Sequence, residues 1–265
     1  MASIVALTGV VTTPASAQPV QVADWRQSIP GAVGSALDRA PNGDYVVVGI
    51  ESLSKIDPTY GEIMTLQRYS RSGQPVWSHP VRIPQTVAGL KPSRVLVDAN
   101  DNIVVLANEA DYNYRLCALN DPTCTPGSID GLFNAWWIVQ KYSPAGIRLW
   151  ERRTFQVKSA PIQGAFDPTT GDIFVLVDAN KGAARTTNIT RLSSAGELVW
   201  SIETKDITKP GALALSSEGT VLVAGANSLG LSINEFAPLC PWDGGGATRS
   251  NSLYREIGYW SLPRT

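Results

Sequence analysis

The amino-acid sequence predicts an all-β protein made of repeated four-stranded units, and three observations lead to this fold class. The segments YSRSGQPVW, YSPAGIRLW and LSSAGELVW share one spacing, in which Gly follows Ser by three residues and Trp follows Gly by four. A pair of predicted strands precedes each of these motifs. The chain is also rich in Gly (23) and Pro (18) and lacks long helix-forming runs, as expected of a turn-rich β chain. Repeats on this scale are typical of arrays, solenoids and propellers.

Four segments have the pattern of a β-hairpin, two strands joined by a tight turn. The turns are predicted at Asn42-Gly43, Asn100-Asp101, Gly171 and Gly219. The second strand of each hairpin is a nearly continuous apolar, mostly β-branched run: Val46–Ile50, Ile103–Leu106, Ile173–Val177 and Val221–Val223. Such runs are typical of strands covered on both faces, as where sheets pack on sheets.

Each unit is therefore predicted to have four strands, lettered a to d along the chain, with strand c ending at the aligned Ser and strand d carrying the Trp. Units of this kind are typical of propeller blades. The last strand, REIGYWS, is assigned to c because Ser261 aligns with Ser70, and VADWRQSI carries Trp25 without preceding strands. Residues 18–265 are thus predicted to form a single β-propeller of four blades, the last blade completed by the N-terminal strand. An arc of a larger ring is the alternative.

The charge balance argues against two classes of partner. The 265 residues include 22 basic and 23 acidic ones. Nucleic acids and anionic membranes are bound by clustered basic faces, so neither is expected to bind here.

Residues 1–17 combine an apolar stretch with a terminal Ala-Ser-Ala. This order is typical of the end of a signal peptide, with cleavage after Ala17, although no Lys or Arg precedes the apolar part. An ordinary N-terminal arm is the alternative. We expect a secreted or periplasmic protein with no membrane span, since no other stretch approaches the ~20 apolar residues that a span needs.

The Ser-x-x-Gly-x-x-x-Trp segments resemble the Trp-docking repeats of bacterial pyrroloquinoline-quinone-type propellers. The resemblance implies that the repeat tryptophans pack between neighbouring blades and are structural, together with the motif glycines: Trp25, Trp77, Trp150, Trp200, Gly73, Gly146 and Gly196. Quinone-dependent members have a vicinal cysteine pair over the cofactor, which this chain lacks. The resemblance is therefore to the non-catalytic members, which use the disc as a protein-docking platform, and no cofactor is expected.

The cysteines lie in the two longest irregular segments of the chain. An exported protein is expected to join two of the three, and Cys117–Cys124 is the simplest loop disulfide. The odd number leaves one thiol over or makes the pairing ambiguous. Metal ligation is less favoured, because the chain has one His and no C-x-x-C.

Two long insertions, 109–134 and 227–252, are both assigned to b–c loops, which places them on one face of the propeller. Together they carry the predicted binding residues: Asp111, Tyr112, Tyr114, Arg115, Asp130, Trp242 and Asp243. Aromatic rings beside carboxylates suit a glycan or peptide ligand. The alternative is that these rings only pack their own loops.

The sequence offers little support for catalysis. The only histidine, His79, follows Trp77 on an outer strand, away from the insertions. DANDN at 98–102 is oxygen-rich, but it coincides with a hairpin turn, so turn formation is the favoured interpretation over calcium binding. The predicted function is that of an exported protein that is not an enzyme and that binds another protein or a glycan. The alternatives are a carbohydrate-active enzyme using Asp111, Asp130 and Asp243, and a structural subunit of an oligomer or fibre.

Overall fold

A computed structural model of the chain describes residues 26–29, 32–52, 62–83, 90–112, 133–155, 159–181, 184–217, 219–238 and 254–261. These residues form sixteen strands in four antiparallel sheets, each made of four consecutive strands. The first sheet contains β1 (Ala32–Arg39), β2 (Tyr45–Ser52), β3 (Glu62–Tyr69) and β4 (Val81–Ile83). The second contains β5 (Leu90–Val97), β6 (Ile103–Tyr112), β7 (Phe133–Tyr142) and β8 (Arg148–Phe155). The third contains β9 (Ser159–Phe166), β10 (Ile173–Lys181), β11 (Ala184–Leu192) and β12 (Leu198–Thr204). The fourth contains β13 (Lys209–Leu215), β14 (Val221–Asn227), β15 (Gly230–Pro238) and β16 (Tyr254–Ser261).

The sheets pack face to face in chain order. The first strand of each sheet contacts the first strand of the next, so that β1 meets β5, β5 meets β9 and β9 meets β13. Three apolar clusters fill the spaces between consecutive sheets. The second strands supply both faces of this core, as their continuous apolar runs predict. The all-β, β-propeller-like fold is therefore confirmed. No helix among the described residues is long and apolar enough to cross a membrane.

The hairpin turns also lie where the sequence predicts them. Gly43, Gly171 and Gly219 take the left-handed backbone region, with φ of 91°, 71° and 79°. In the second sheet Asp101 does the same, with φ of 63°. Aspartate tolerates this region better than most side chains, because its short polar group bonds to the local backbone.

The fourth unit corrects the predicted strand assignment. Asn227 pairs with Gly230, so a two-residue hairpin turns the chain back at once and Gly230–Pro238 becomes the third strand. The REIGYWS segment is then the fourth strand, β16, and not the third. The last sheet is therefore completed by Tyr254–Ser261 and not by the N-terminal strand. The match of Ser261 to Ser70 was misleading.

This correction moves one insertion to the opposite end of the sheets. In an antiparallel meander the connections alternate between two ends, so b–c and d–a connections share one end and a–b and c–d connections share the other. We name these the loop end and the turn end. Residues 113–132 join β6 to β7 at the loop end, as predicted. Residues 239–253 join β15 to β16, whose paired ends at Pro238 and Tyr254 lie at the turn end, so the assignment of 227–252 to a b–c connection is wrong.

The outer faces of the first and fourth sheets carry exposed apolar side chains. Val33 and Leu37 of β1 are 72% and 61% exposed. On the fourth sheet Leu222, Leu231 and Ile233 are also exposed. Closure of the four sheets into a ring stays a prediction.

Candidate functional site

The turn end is built from the repeat motif, and the structure explains each residue of that motif. In the third sheet Gly196 N–H donates to the Ser193 carbonyl, and the Ser193 hydroxyl accepts from Glu197 N–H at 3.1 Å. Gly196 has φ of 86°, a backbone conformation that would be strained in a residue with a side chain. The Ser and the Gly thus close a tight turn before the fourth strand.

Two of the motif tryptophans dock on the turn of the following sheet. Trp77 Nε1 donates to the Pro144 carbonyl at 3.1 Å, and Trp150 Nε1 donates to the Ser194 carbonyl at 3.2 Å. The glycine of each receiving turn makes room for the ring, because a Cβ on Gly196 would lie 2.8 Å from Trp150. This is the inter-sheet contact that the sequence predicts for Trp77 and Trp150.

A row of turn-end cations, buried in the first two sheets and half-buried in the third, was missed by sequence reasoning and lies at the same turns. Each cation lies two residues before the motif Ser and pairs with an aspartate of its own hairpin turn. The pairs are Arg68–Asp44 at 2.9 Å, Lys141–Asp98 at 3.3 Å and Arg191–Asp172 at 2.7 Å. The basic residue at a fixed position in RYS, KYS and RLS was the available signal.

Two of these cations also reach the next sheet. Arg68 Nη2 lies 3.3 Å from Asp101 Oδ2, and Lys141 Nζ donates to the Ser194 carbonyl at 3.4 Å. The turn end is therefore a structural seam, in which charge pairs and docked indoles hold neighbouring sheets together.

Asp98 acts as a turn acceptor in the DANDN segment, as the turn interpretation predicts. Its Oδ1 accepts from the backbone N–H groups of Asn100 and Asn102, at 2.9 and 2.8 Å. Burial acts to raise its pKa, but hydrogen bonds from Asn102, Asn100 and Lys141 outweigh burial and hold the pKa below its ordinary value.

The loop end contrasts with this seam. β6 and β7 are the longest strands, ten residues each, and their pairing continues out to Asp111↔Asn134 and Tyr112↔Phe133. The backbone of Asp111 and Tyr112 therefore lies at the base of the 113–132 loop. The other predicted binding and cysteine residues lie outside the described residues: Tyr114, Arg115, Cys117, Cys124, Asp130, Trp242 and Asp243.

A polar groove of about 460 Å³ opens at the loop end between the β12–β13 connection and the β14–β15 turn. It is lined by Lys205, Asp206, Thr208, Lys209, Asn227, Ser228 and Leu229. Asn227 fixes the groove by donating from Nδ2 to the Asp206 carbonyl at 2.9 Å and accepting from Leu229 N–H at 2.8 Å. Lys205 and Lys209 are exposed, and Leu229 is 61% exposed. The groove thus presents two cations, a carboxylate and an apolar side chain to solvent.

One carboxyl near this groove has an unusual environment. Burial raises the pKa of Asp178, and Arg185 opposes this only in part. Asp178 pairs across the sheet with Thr187, whose hydroxyl donates to the Ile207 carbonyl behind the groove at 2.5 Å. Asp178 Oδ1 has no hydrogen-bond partner within the described part of the chain. His79 lies exposed in the bend before β4. The described side chains of the groove thus form an exposed polar surface at the loop end.

No family model matches the chain, and no curated protein matches it.

Solved structures give a fold-level likeness. A protein of unknown function from Dyadobacter fermentans matches with a TM-score of 0.52 and 10% identity over 77% of this chain and 66% of that one. A protein of unknown function from Bacteroides caccae gives 0.47 and 13% over 88% and 62%. An apocarotenoid oxygenase from Synechocystis gives 0.44 and 12% over 86% and 50%. The chain spans less than two thirds of the length of these proteins. The first likeness supports the all-β fold alone.

Proposed function

We propose that this protein is an exported, non-enzymatic binding protein that holds a protein or glycan ligand at its loop end. The observation that carries the proposal is the difference between the two ends of the sheets. At the turn end the Ser, Gly, Trp and cation positions are used in packing sheet against sheet. At the loop end the β6–β7 hairpin extends into a 20-residue connection, and a polar groove opens between the β12–β13 connection and the β14–β15 turn. Long connections on a rigid scaffold are where binding residues concentrate.

The composition of the groove supports a polar ligand. Lys205 and Lys209 can donate to carboxylate or hydroxyl oxygens, and Asp206 can accept from hydroxyl or amide groups. Leu229 adds an exposed apolar contact beside them. A few polar groups around an apolar contact suit oligosaccharides and extended peptides alike. We also propose that the units are related to Trp-docking propeller repeats. The docking of Trp77 and Trp150 on neighbouring turns supports this relationship.

The strand order favours one carboxylate pair for the carbohydrate-active alternative. The segment that carries Asp243 leaves β15 at the turn end, whereas Asp111 lies at the loop end. Only Asp111 and Asp130 then remain on one connection as a possible catalytic pair. Two carboxylates must flank one glycosidic bond within roughly 5 to 10 Å of each other.

Replacing each insertion with the same short turn tests the proposal. Tyr112 pairs with Phe133, and Pro238 pairs with Tyr254, so an Asn-Gly turn can replace residues 113–132 in one variant and 239–253 in the other. Binding of the full chain to a glycan array and a displayed peptide library identifies the probe. We expect the first replacement to weaken binding by about tenfold or more, equivalent to about 1.4 kcal/mol, and the second to leave it nearly unchanged.

The opposite pattern would contradict the proposal. Loss of affinity only in the 239–253 variant would place the ligand at the turn end. Release of shortened oligosaccharides by the wild type, abolished by Asp111→Asn or Asp130→Asn, would establish the enzymatic alternative instead. The double variant Lys205→Ala, Lys209→Ala then shows whether the groove takes part in binding, because these exposed lysines have no role in the core.

A further inference from the structure

The junctions between consecutive sheets differ in chemistry near the loop end. Equivalent positions follow from the motif Ser: the sixth residue before it faces the next sheet, and the fifth and seventh face the preceding sheet. Between the first and second sheets these positions hold Met64, Ile138 and Trp136. Met64 and Ile138 belong to one apolar cluster, and Trp136 packs against it. This junction is therefore apolar at the level in question.

The junction between the third and fourth sheets is polar at the same level, and its hydroxyl groups bond within the protein. The Thr187 hydroxyl donates to the Ile207 carbonyl, and the Ser232 hydroxyl donates to Asn234 Oδ1 at 3.3 Å. Thr187, Ser232 and Asn234 are all 0% exposed. Buried polar groups thus have partners here, as they do almost everywhere in folded proteins.

Between the second and third sheets, Trp137 faces Thr186 and Asn188. Trp137 packs in one apolar cluster with Val177. Val177 pairs across the third sheet with Asn188, and Ala179 pairs in the same way with Thr186. Because directly paired residues of neighbouring strands point to the same face, Thr186 and Asn188 lie on the face that packs against the second sheet. Trp137 and Thr186 are 3% and 1% exposed.

Three buried atoms at this junction have no hydrogen-bond partner within the described ranges of the chain: Trp137 Nε1, Thr186 Oγ1 and Asn188 Oδ1. The indole N–H only donates, the amide oxygen only accepts, and the hydroxyl does either. Leaving such groups unpaired in the interior is destabilising. A cation cannot accept the indole proton, and an anion cannot donate to the amide oxygen. A neutral group that both accepts and donates satisfies all three atoms.

We propose that a buried water molecule bridges the second and third sheets at this point. It accepts from Trp137 Nε1 and donates to Asn188 Oδ1, and the Thr186 hydroxyl is its third partner. About three hydrogen bonds are typical of a buried water in a protein. The bridge holds β7, the strand that directly follows the 113–132 connection, against the third sheet. The site is separate from the loop-end groove and does not depend on the proposed function.

The sign of a stability change tests the proposal. Thr186→Val removes the hydroxyl and keeps the shape of the side chain. The matched control is Thr190→Val, because Thr190 lies on the same strand and face, is 2% exposed and has its hydroxyl bonded to the Ser201 hydroxyl at 2.9 Å. We expect both changes to lower the urea midpoint of the full chain by comparable amounts, because both remove a bonded hydroxyl.

A raised or unchanged midpoint in Thr186→Val, beside a loss in Thr190→Val, would overturn the proposal. It would mean that the Thr186 hydroxyl has no partner, since removing an unpaired buried polar group costs nothing. The same comparison in the chain whose residues 113–132 are replaced by Asn-Gly identifies the source of the partner. If the loss at Thr186 disappears in that chain, the connection supplies the partner and the water bridge is wrong.

Oxygen-17 magnetic relaxation dispersion detects the water directly, because it counts long-lived internal waters and is insensitive to proton exchange with hydroxyl groups. We expect the dispersion amplitude of the wild type to exceed that of the double variant Thr186→Val, Asn188→Leu by one water molecule. Thr190→Val should leave the amplitude unchanged. Equal amplitudes in the wild type and the double variant would contradict a water at this junction.

Discussion

The third and fourth sheets have the same strand order and the same register but differ at the positions that meet a following sheet. Three positions on the third sheet carry an apolar side chain, a cation and an indole, whereas the fourth sheet carries an apolar side chain, a carboxylate and a glycine. The pairs are Ile189 and Ile233, Arg191 and Glu235, and Trp200 and Gly258. The third sheet therefore has the side chains with which the sheets of this protein contact a following sheet. The fourth sheet has the same fold but lacks the cation and the indole at these positions.

The difference shows that the sequence of a unit serves two separable purposes. The alternation of apolar residues along β14 and β15 is enough to form the sheet and to bury Val221, Val223 and Phe236 against the third sheet. Where the next sheet's turn is contacted, the cation and the indole act across the sheets, as Lys141 and Trp150 do on the turn of the third sheet. A unit can therefore lose them and still fold.

The largest expected contrast is between Ile189→Ala and Ile233→Ala. Ile189 is 0% exposed and packs between the third and fourth sheets, whereas Ile233 occupies the same register position with 37% exposure. Removing the buried side chain should lower the free energy of unfolding by about 3 kcal/mol. Removing the exposed one should lower it by less than about 1 kcal/mol. Urea denaturation of both variants measures the contrast.

Equal losses would contradict this comparison. They would mean that the outer face of the fourth sheet is covered in solution. A concentration dependence of the Ile233→Ala loss would then identify the cover as a second copy of the chain, which is the structural-subunit alternative.

The next contrast concerns the cation position. Lys141→Met leaves Asp98 buried without its charge partner, and we expect a loss of about 2 kcal/mol. Glu235→Met, the corresponding change in the fourth sheet, should alter the free energy of unfolding by no more than about 0.5 kcal/mol. Both variants place the same side chain at the same register position, so chain-wide effects of methionine cancel. A loss at Glu235 as large as that at Lys141 would show that the fourth sheet has an inter-sheet contact of its own.

The difference between the first three units and the fourth also explains how much of the fold could be predicted from the sequence. The first three units were predictable because each repeats Ser, Gly and Trp at fixed distances, and the turn geometry of Ser193 and Gly196 requires those residues. The fourth unit lacks the motif, and the apparent match of Ser261 to the motif Ser is coincidental. One misassigned strand then moved the 227–252 insertion to the wrong end, because connections alternate between the ends of a meander.

The candidate site was less predictable than the fold. The loop-end groove is lined by residues 205–209 and residues 227–229, two segments that are separate in sequence. Both segments have the polar composition of ordinary surface loops. Nothing in either segment alone marks it as part of a site. The turn-end cations had a signal in their constant position before the motif Ser. A repeated basic residue also fits an exposed strand, however, and only the packing shows that Lys141 is buried.

The smallest expected contrast is a pH effect at the first residue of the hairpin turn, where the second sheet has Asp98 and the fourth has Ser216. Hydrogen bonds hold the pKa of Asp98 in the folded protein below the ordinary 3.8. The charged form is thus favoured by folding, so its contribution is fully present above about pH 4 and is lost as the pH falls through the folded pKa. Asp98→Asn should therefore reduce stability near neutral pH more than in acid.

Ser216 provides the control for this pH effect. Its hydroxyl accepts from Thr220 N–H at 3.1 Å and does not titrate in this range. Ser216→Ala should therefore lower the urea midpoint by the same amount between about pH 2 and pH 6. If the losses caused by Asp98→Asn and Ser216→Ala were both independent of pH, the charge of Asp98 would contribute nothing to the turn. The backbone hydrogen bonds, which Asn and Ser can also accept, would then explain the whole effect, and the second and fourth sheets would differ at this turn in sequence but not in energetics.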